Sequence, residues 1–247
     1  MTQSVDVIIP VYNEEVGLPL CISILSPFLI SRLPYSSNIV IVDNGSIDDT
    51  LVVAEELCKE YSNVRVVHLD LKGRGRALRQ SWLDSNADIV VYMDVDLSTD
   101  LEALPDLVAA IADNGYHVSI GSRLMSGSRV VRSLKREIIS RAYNFLIKLM
   151  FFTKFKDAQC GFKAISRDAA QELIPRIINQ EWFFDTELLI ISEKAGIPIK
   201  EIPVKWTDDP DSRVKVVSTA MEDVKGLLRM RFGGLSRALQ GINLKVQ

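Results

Sequence analysis

Short apolar runs alternate with amphipathic segments along the first half of the chain. The apolar runs are rich in β-branched residues, whereas the segments between them carry apolar residues at helical spacing. The pattern predicts strands near 5–11, 38–43, 64–69, 88–94 and 117–122, and helices near 14–29, 48–60, 74–85 and 101–113. We expect Asp48 to cap the second helix. Such an alternation is typical of an α/β fold in which helices cover both faces of a mainly parallel sheet.

After residue 122 the pattern becomes mostly helical. We expect a long helix over about 130–152, strands at Phe162–Ser166 and Ile199–Trp206, and helices near 167–175, 183–195 and from about 216. Within Leu134–Phe152, polar and apolar residues occupy opposite faces. The polar face holds Glu137, Ser140, Arg141, Asn144 and Lys148, and the apolar face holds Ile138, Ala142, Phe145, Leu146 and Leu149. This helix is either a lid over a soluble core or an element lying on an anionic membrane surface.

The charge is distributed unevenly, although the net charge is only −3. Residues 1–122 carry 7 basic and 18 acidic side chains, whereas residues 123–156 carry 9 basic and 1 acidic. The last 35 residues, 213–247, carry 7 basic and 2 acidic side chains. Two basic segments therefore flank an acidic body, a pattern that favours an anionic surface as partner, and we expect no nucleic acid partner. Three widely spaced cysteines favour a reducing compartment, and we expect neither a signal peptide nor a membrane-spanning helix.

Two aspartates close the most apolar of the predicted strands. Asp94 and Asp96 follow the run that begins at Ile89, and side chains at i and i+2 of an extended segment share one face. The carboxyl ends of parallel strands form the usual ligand-binding edge of an α/β sheet. The two carboxylates can therefore hold one hard divalent cation, Mg²⁺ or Mn²⁺, against a nucleotide diphosphate. Acidic residues at strand ends are also common turn formers, and Asp94–Ser98 superficially matches the aspartyl-nucleophile motif of phosphohydrolases.

Several motifs follow one another in the order and spacing of a known enzyme family. In the first half they are Pro10–Glu15 (PVYNEE), Val42–Thr50 (VDNGSIDDT), Lys72–Ala77 (KGRGRA) and Asp94–Asp96 (DVD). Together they resemble family 2 glycosyltransferases of the GT-A fold. In the second half they are Gly121–Arg123 (GSR), Asp157–Lys163 (DAQCGFK) and Trp182–Glu187 (WFFDTE). These look like the dolichyl- or polyprenyl-phosphate glucose and mannose synthases of that family, and the resemblance covers about residues 5–216.

The resemblance implies roles for individual residues on the donor side. Pro10, Tyr12, Glu14 and Asp43 would hold the nucleoside, and the carboxylates suit base N–H groups and ribose hydroxyls. Asp94 and Asp96 would hold the metal, with Asp96 also counted among the catalytic residues. Ser98 stands where many mannose synthases of the family place a glutamine ligand, so water is expected to fill that place. Arg74, which opens a helix between two glycines, suits the diphosphate.

On the acceptor side, arginines are the candidates for binding a lipid phosphate. Arg123, Arg136 and Arg213 are expected to form this clamp, because arginine binds phosphate through two parallel hydrogen bonds and stays charged. We count Arg123 as catalytic for this reason. A phosphate acceptor is already an anion and needs no general base. A hydroxyl acceptor would need one, and Asp185 is the candidate.

These inferences lead to one main hypothesis for the function. The chain is expected to transfer a single hexose from a nucleotide-diphosphate sugar to polyprenyl or dolichyl phosphate, with inversion, at the cytoplasmic face of a membrane. UDP-glucose is favoured over GDP-mannose because of Trp206 after Ile202–Lys205. Transfer to a soluble or protein-borne hydroxyl, or a non-catalytic membrane-associated scaffold, remains as an alternative. We expect a nucleotide-sugar-binding half over 1–122, an acceptor-binding half over 123–215 and a basic amphipathic tail over 216–247.

Overall fold

A computed structural model describes residues 3–208, 216–242 and 244. Seven strands form one sheet, and two short strands form a second sheet. The strands are β1 (Ser4–Val11), β2 (Ser36–Asn44), β3 (Val64–Leu69), β4 (Ile89–Met93), β5 (Val118–Ser122), β6 (Arg129–Val131), β7 (Phe162–Ser166), β8 (Ile199–Pro203) and β9 (Lys205–Thr207). The order in the large sheet is β3-β2-β1-β4-β7-β5-β8, and β6 pairs with β9.

Every pairing in the large sheet is parallel except those of β7, which runs antiparallel to both β4 and β5. The predicted mainly parallel α/β sheet is therefore confirmed, and the direction of β7 is an addition to it. Strands from both sides of residue 122 join in this one sheet. The proposed division into two halves and a tail stays a prediction.

Helices cover both faces of the large sheet. They are α1 (Gly17–Arg32), α2 (Thr50–Glu60), α3 (Arg74–Asp84), α4 (Leu104–Ala112), α5 (Leu134–Phe151), α6 (Arg167–Leu173), α7 (Phe184–Lys194), α8 (Val216–Arg229) and α9 (Leu235–Ala238). One buried apolar cluster packs α1, α2 and α4 on one face, and a second packs α3, α5, α6, α7 and α8 on the other. No helix within the described residues is both long enough and apolar enough to cross a bilayer.

Three predicted boundaries differ from the structure for local reasons. The helix expected from 130 begins only at Leu134, because Ser133 caps it by accepting a hydrogen bond from the backbone N–H of Arg136 at 3.4 Å. The strand expected over 199–206 divides after Pro203, which has no N–H with which to continue a ladder. The second helix begins at Thr50, whose N–H donates to Asp48 at 3.1 Å, so Asp48 is the capping side chain but lies one residue before the N-cap position.

Helix α5 does not follow the predicted division into a polar and an apolar face, since Asn144 of the predicted polar face is buried and Phe145 and Leu149 of the predicted apolar face are exposed. The buried side chains of α5 are Ser140, Asn144, Ile147 and Phe151. Asn144 accepts from the N–H of Ala158 at 2.9 Å, which explains how an amide is accommodated inside. Exposed apolar side chains recur at spacings of three, four or seven residues along the outer face of α5 and at the residue that follows it. We call this row, Leu134, Ile138, Phe145, Leu149 and Phe152, the α5 stripe.

Candidate active site at the carboxyl edge of the sheet

The two predicted metal-binding aspartates lie directly beyond β4, at the carboxyl edge of the sheet. Asp94 is 41% exposed and Asp96 is exposed. Asp96 accepts a hydrogen bond from the N–H of Ser98 at 2.9 Å, and Leu97 between them has a φ of 53°. A left-handed conformation at a residue other than glycine is a strain that is typical of functional turns. The strand end therefore turns sharply and leaves both carboxylates accessible.

Gly161 makes room for the carboxylate of Asp94. Because β7 is antiparallel to β4, Phe162 pairs with Met93 and the residue before β7 lies beside the end of β4. A Cβ atom at position 161 would lie 1.8 Å from Oδ2 of Asp94. The sequence motif contained this glycine, but the reason for it appears only when the two strands are paired.

Arg74 connects the acid pair to a second buried carboxylate. Its Nη1 donates to Oδ2 of Asp185 at 2.7 Å, and its Nη2 donates to Oδ1 of Asp94 at 3.2 Å. The guanidinium lies between two aromatic rings, 4.8 Å from the ring centre of Tyr92 and 4.6 Å from that of Trp182. We call Arg74, Asp94 and Asp185 the Arg74 cluster. Arg74 and Asp94, both predicted on the donor side, thus meet Asp185, which was predicted as the base for a hydroxyl acceptor.

The cluster has the electrostatics of a cation site. Partial burial raises the pKa of Asp94 to about 6; Arg74 opposes this shift, and the carboxylates of Asp96 and Asp185 add to it. A divalent cation would relieve this excess of negative charge, and carboxylate oxygens are suitable ligands for Mg²⁺ or Mn²⁺. No set of three or more His, Cys, Asp or Glu side chains within the described residues converges on one point. Asp94 and Asp96 as ligands of a metal stay a prediction, in which phosphate and water would supply the remaining ligands.

The turn after β1 carries Tyr12 and Glu14, two of the predicted nucleoside-binding residues, and Pro10 is the penultimate residue of β1. The turn is tied to the first residue of α2 by donation from the backbone N–H of Glu14 to Thr50 Oγ1 at 2.8 Å. The ammonium group of Lys72 lies 3.5 Å from the ring centre of Tyr12. A cleft of about 450 Å³ opens beside this turn, lined by Tyr12, Asn13, Glu14, Glu15, Val16, Gly17 and Asp48.

Asp43, the fourth predicted nucleoside-binding residue, is completely buried at the end of β2. Its Oδ2 lies 2.6 Å from Nδ1 of His68, and its Oδ1 accepts from the N–H of Ser46 at 3.2 Å. His68, at the end of β3, is 42% exposed and covers Asp43. His68 is one of only two histidines in the chain and belongs to no sequence motif, and the pairing of β2 with β3 is what places it beside Asp43.

The arginines proposed to clamp an acceptor phosphate already have carboxylate partners in this structure. Arg123 donates through Nε and Nη2 to Asp157 at 2.8 and 2.9 Å, and Arg136 is paired with Asp208. Burial would raise the pKa of Asp157, but Arg123 lowers it to about 2. Arg213 lies outside the described residues. Asp157 is therefore an additional site residue, and the clamp itself stays a prediction.

Comparison with known proteins agrees with the fold and identifies the family. The family model described as glycosyl transferase family 2 matches residues 6–174. The fold, the acid pair and this match define a glycosyltransferase, and the chain belongs to glycosyl transferase family 2. The recognition made from the sequence motifs is confirmed.

The similarity of the chain to individual proteins supports a narrower group within this family. The chain is 35% identical over 215 residues to glycosyltransferase AglD of Haloferax volcanii, covering 86% of the chain but only 34% of that protein. It is 30% identical over 239 residues to the dolichyl-phosphate beta-glucosyltransferase of Dictyostelium discoideum, covering 92% of the chain and 73% of that protein. The chain thus spans about a third of the first relative's length and about three quarters of the second's.

A solved structure confirms the fold. Glucosyl-3-phosphoglycerate synthase from Mycobacterium tuberculosis in complex with UDP superposes with a TM-score of 0.70 at 22% identity, covering 94% of this chain and 80% of that chain. At this identity the likeness concerns the fold alone.

Proposed function

We propose that the protein transfers one glucose from UDP-glucose to a polyprenyl or dolichyl phosphate, with inversion at the anomeric carbon. GDP-mannose is the second candidate donor. Support for glucose as the sugar and for the acceptor comes from the relatives, because the one in Dictyostelium discoideum is described as a dolichyl-phosphate beta-glucosyltransferase. The proposed location is the cytoplasmic face of a membrane, and the free cysteines Cys21, Cys58 and Cys160 are consistent with a reducing compartment.

On the donor side, Asp94 and Asp96 would hold Mg²⁺ or Mn²⁺. A bound divalent cation neutralises the charge that develops on a departing diphosphate. Arg74, the first residue of α3, adds a fixed positive charge beside Asp94. Tyr12 and Glu14 would hold the nucleoside beside their turn, with Asp43 behind His68.

On the acceptor side, the α5 stripe is the observation that carries the proposal. Phe145 is 67% exposed, Leu149 61% and Phe152 78%, whereas the polar Ser140 and Asn144 are buried. An apolar row facing outward is unfavourable in water and suits the interface of a bilayer. Exposed basic side chains of α5, Lys135 and Arg141, flank the row and suit anionic headgroups.

A second row of exposed apolar side chains lies on α8 and the segment after it. These side chains, spaced by three or four residues, are Met221, Val224, Leu228 and Phe232. A cavity of about 220 Å³ lies where the end of α5 meets the segment after α8, lined by Met150, Phe151, Phe152, Met230, Arg231, Leu235 and Ser236. An acceptor embedded in a membrane could reach the site only if the protein docks on that membrane, and this surface is suited to such docking.

The test is incubation of the protein with labelled UDP-glucose, Mn²⁺ and polyprenyl phosphate in vesicles. We expect a β-linked lipid product and a loss of about a hundredfold or more in rate for Asp96→Asn. Asp168→Asn is the matched control, because Asp168 is exposed on α6 and follows Ser166, which pairs with Ile89 at the opposite edge of the sheet.

Three results would contradict the proposal. An α-linked product excludes direct displacement. Transfer to a soluble hydroxyl compound, with none to the lipid, supports the alternative acceptor. Failure to bind UDP or GDP with Mn²⁺ in calorimetry supports a non-catalytic scaffold.

A further inference from the structure

We infer that Asp185 is a positioning residue, whose carboxylate anchors the Arg74 guanidinium beside Asp94, and that it does not accept a proton from the acceptor. The inference rests on the proposed function only for the identity of the donor. It assigns to Asp185 a role different from the general base that a hydroxyl acceptor would require.

The surroundings of Asp185 leave it little opportunity to meet a substrate. It lies in the first turn of α7 and is 2% exposed. Its Oδ2 accepts from Arg74 Nη1 at 2.7 Å and from the hydroxyl of Tyr92 at 3.2 Å. A general base must come within hydrogen-bond reach of the proton that it removes, and the accepting positions of Oδ2 face the protein interior.

The other oxygen of Asp185 faces a second buried cation. Its Oδ1 lies 3.2 Å from Nζ of Lys163, which is 1% exposed and also donates to the carbonyl oxygen of Cys160 at 2.5 Å. A buried lysine needs a charge partner, because an unpaired charge in the interior is strongly unfavourable. Asp185 thus compensates Lys163 on one side and Arg74 on the other.

This arrangement determines how strongly the positive charge of Arg74 interacts with Asp94. The guanidinium is held in place by the rings of Tyr92 and Trp182, and its two terminal nitrogens point to two different carboxylates. If Asp185 loses its charge, Asp94 is the only carboxylate among the described residues that remains paired with Arg74. The arginine then competes with a metal ion for Asp94, and it is less available to the diphosphate.

The test compares Asp185→Asn with the wild type in metal and donor binding and in transfer kinetics. We expect the Kd of UDP with Mn²⁺, and the KM of the donor, to rise about tenfold or more, because the charge-assisted hydrogen bond that holds Arg74 is lost. At saturating Mn²⁺ and donor we expect kcat to stay within about threefold. A general base would give the reverse, a loss of roughly 10²–10⁴ in kcat with UDP binding unchanged, and that result overturns the inference.

Two further variants keep the test decisive. Asp168→Asn is the surface control and should leave both Kd and kcat unchanged. If Asp185→Asn alone does not fold, the double variant Asp185→Asn with Lys163→Met removes one charge of each sign from the interior. The double variant should show the same weakening of UDP and Mn²⁺ binding, and unchanged binding contradicts the anchoring role.

A measurement on the protein without donor or acceptor tests this inference separately from the proposed function. In NMR spectra of the arginine side chains, a guanidinium held between two carboxylates and two rings should exchange its protons slowly. We expect a slowly exchanging signal from Arg74 that is absent from Arg74→Lys and is lost from Asp185→Asn. If the signal persists in Asp185→Asn, the anchoring role is wrong, even if lipid transfer is observed. If it is lost but no lipid product forms in the wild type, the anchoring role stands and the acceptor proposal fails.

Discussion

At the scale of single residues, the position of the Asp94 carboxylate depends on the absence of a side chain at 161. We expect Gly161→Ala to displace this carboxylate, because the added Cβ would lie 1.8 Å from Oδ2. Loss of one carboxylate ligand should weaken Mn²⁺-dependent UDP binding about tenfold or more, measured by calorimetry. The control is Gly115→Ala, where the added Cβ meets nothing within 4 Å but φ is +71°. It should cost about 1 kcal/mol of stability and leave UDP binding intact. Equal UDP binding by Gly161→Ala and the wild type would show that Asp94 is not a ligand.

The free energy of unfolding should depend on pH through Asp223, which is separate from the pair Asp94 and Asp96. Burial raises the pKa of Asp223 in α8 to about 7, and Glu222 adds to the shift. Because the folded value is higher than the ordinary one of 3.8, the folded state favours the protonated form. The free energy of unfolding should therefore fall as the pH rises from about 4 to about 7, by at most about 4 kcal/mol from this group.

Asp223→Asn removes this titration while keeping the shape of the side chain. The variant should be more stable than the wild type at pH 8 and equally stable near pH 4, as measured by urea unfolding at several pH values. A constant difference between the two proteins across that range would mean that Asp223 does not titrate there. The hydrogen bond from Gln159 Nε2 to Asp223, at 3.2 Å, can be kept by the amide oxygen of asparagine.

Local sequence identified the acid pair, because a strand that ends in two aspartates is a feature of neighbouring residues. The partners of the site could not be identified in this way. Lys163, His68 and Asp157 are each far along the chain from the side chains that they contact, and only the strand order brings them together. A lone buried cation or acid has no periodic pattern in sequence, so its role is decided by what it packs against.

At the scale of secondary-structure elements, α5 shows that a helical pattern separates two faces without saying which one packs inward. Residues of the expected apolar face, such as Phe145 and Leu149, are exposed, and Asn144 of the polar face is buried. The strands and helices themselves were predictable because their periodicity is local. The antiparallel direction of β7 was not predicted, since strand direction depends on how the chain crosses the sheet.

The α5 stripe predicts that membrane binding can be removed without unfolding the protein. The double variant Phe145→Asp with Leu149→Asp should bind anionic vesicles at least about tenfold more weakly, because two apolar side chains leave the interface. Vesicle sedimentation measures the change, and thermal unfolding should be nearly unaffected since both side chains are exposed. The matched control is Ile30→Asp with Val52→Asp, two exposed apolar residues on the helices of the other sheet face. Equal vesicle binding by the stripe variant and the wild type would rule out α5 as the docking element.

At the scale of the whole molecule, the donor site joins elements from both halves of the chain, so donor binding should stabilise the entire fold. At a concentration of one hundred times its Kd, UDP with Mn²⁺ stabilises the folded state by about 2.7 kcal/mol. For a protein of this size, the unfolding temperature should rise by roughly 5–10 °C. Differential scanning calorimetry measures the shift, and EDTA should abolish it. An equal shift for UDP with EDTA would mean that the nucleotide binds without the metal.

Because β7 lies between β4 and β5, the carboxyl edge of the sheet beside Asp94 can form only after β7 has been synthesised. β5 leaves the ribosome about forty residues before β7, yet its final place is on the far side of β7. Until Phe162–Ser166 emerge, β4 has an open edge to which β5 could pair out of place. Correct folding therefore requires that β5 does not pair with β4 before β7 has been synthesised. Gly161 comes to lie beside Asp94 only when β7 pairs with β4.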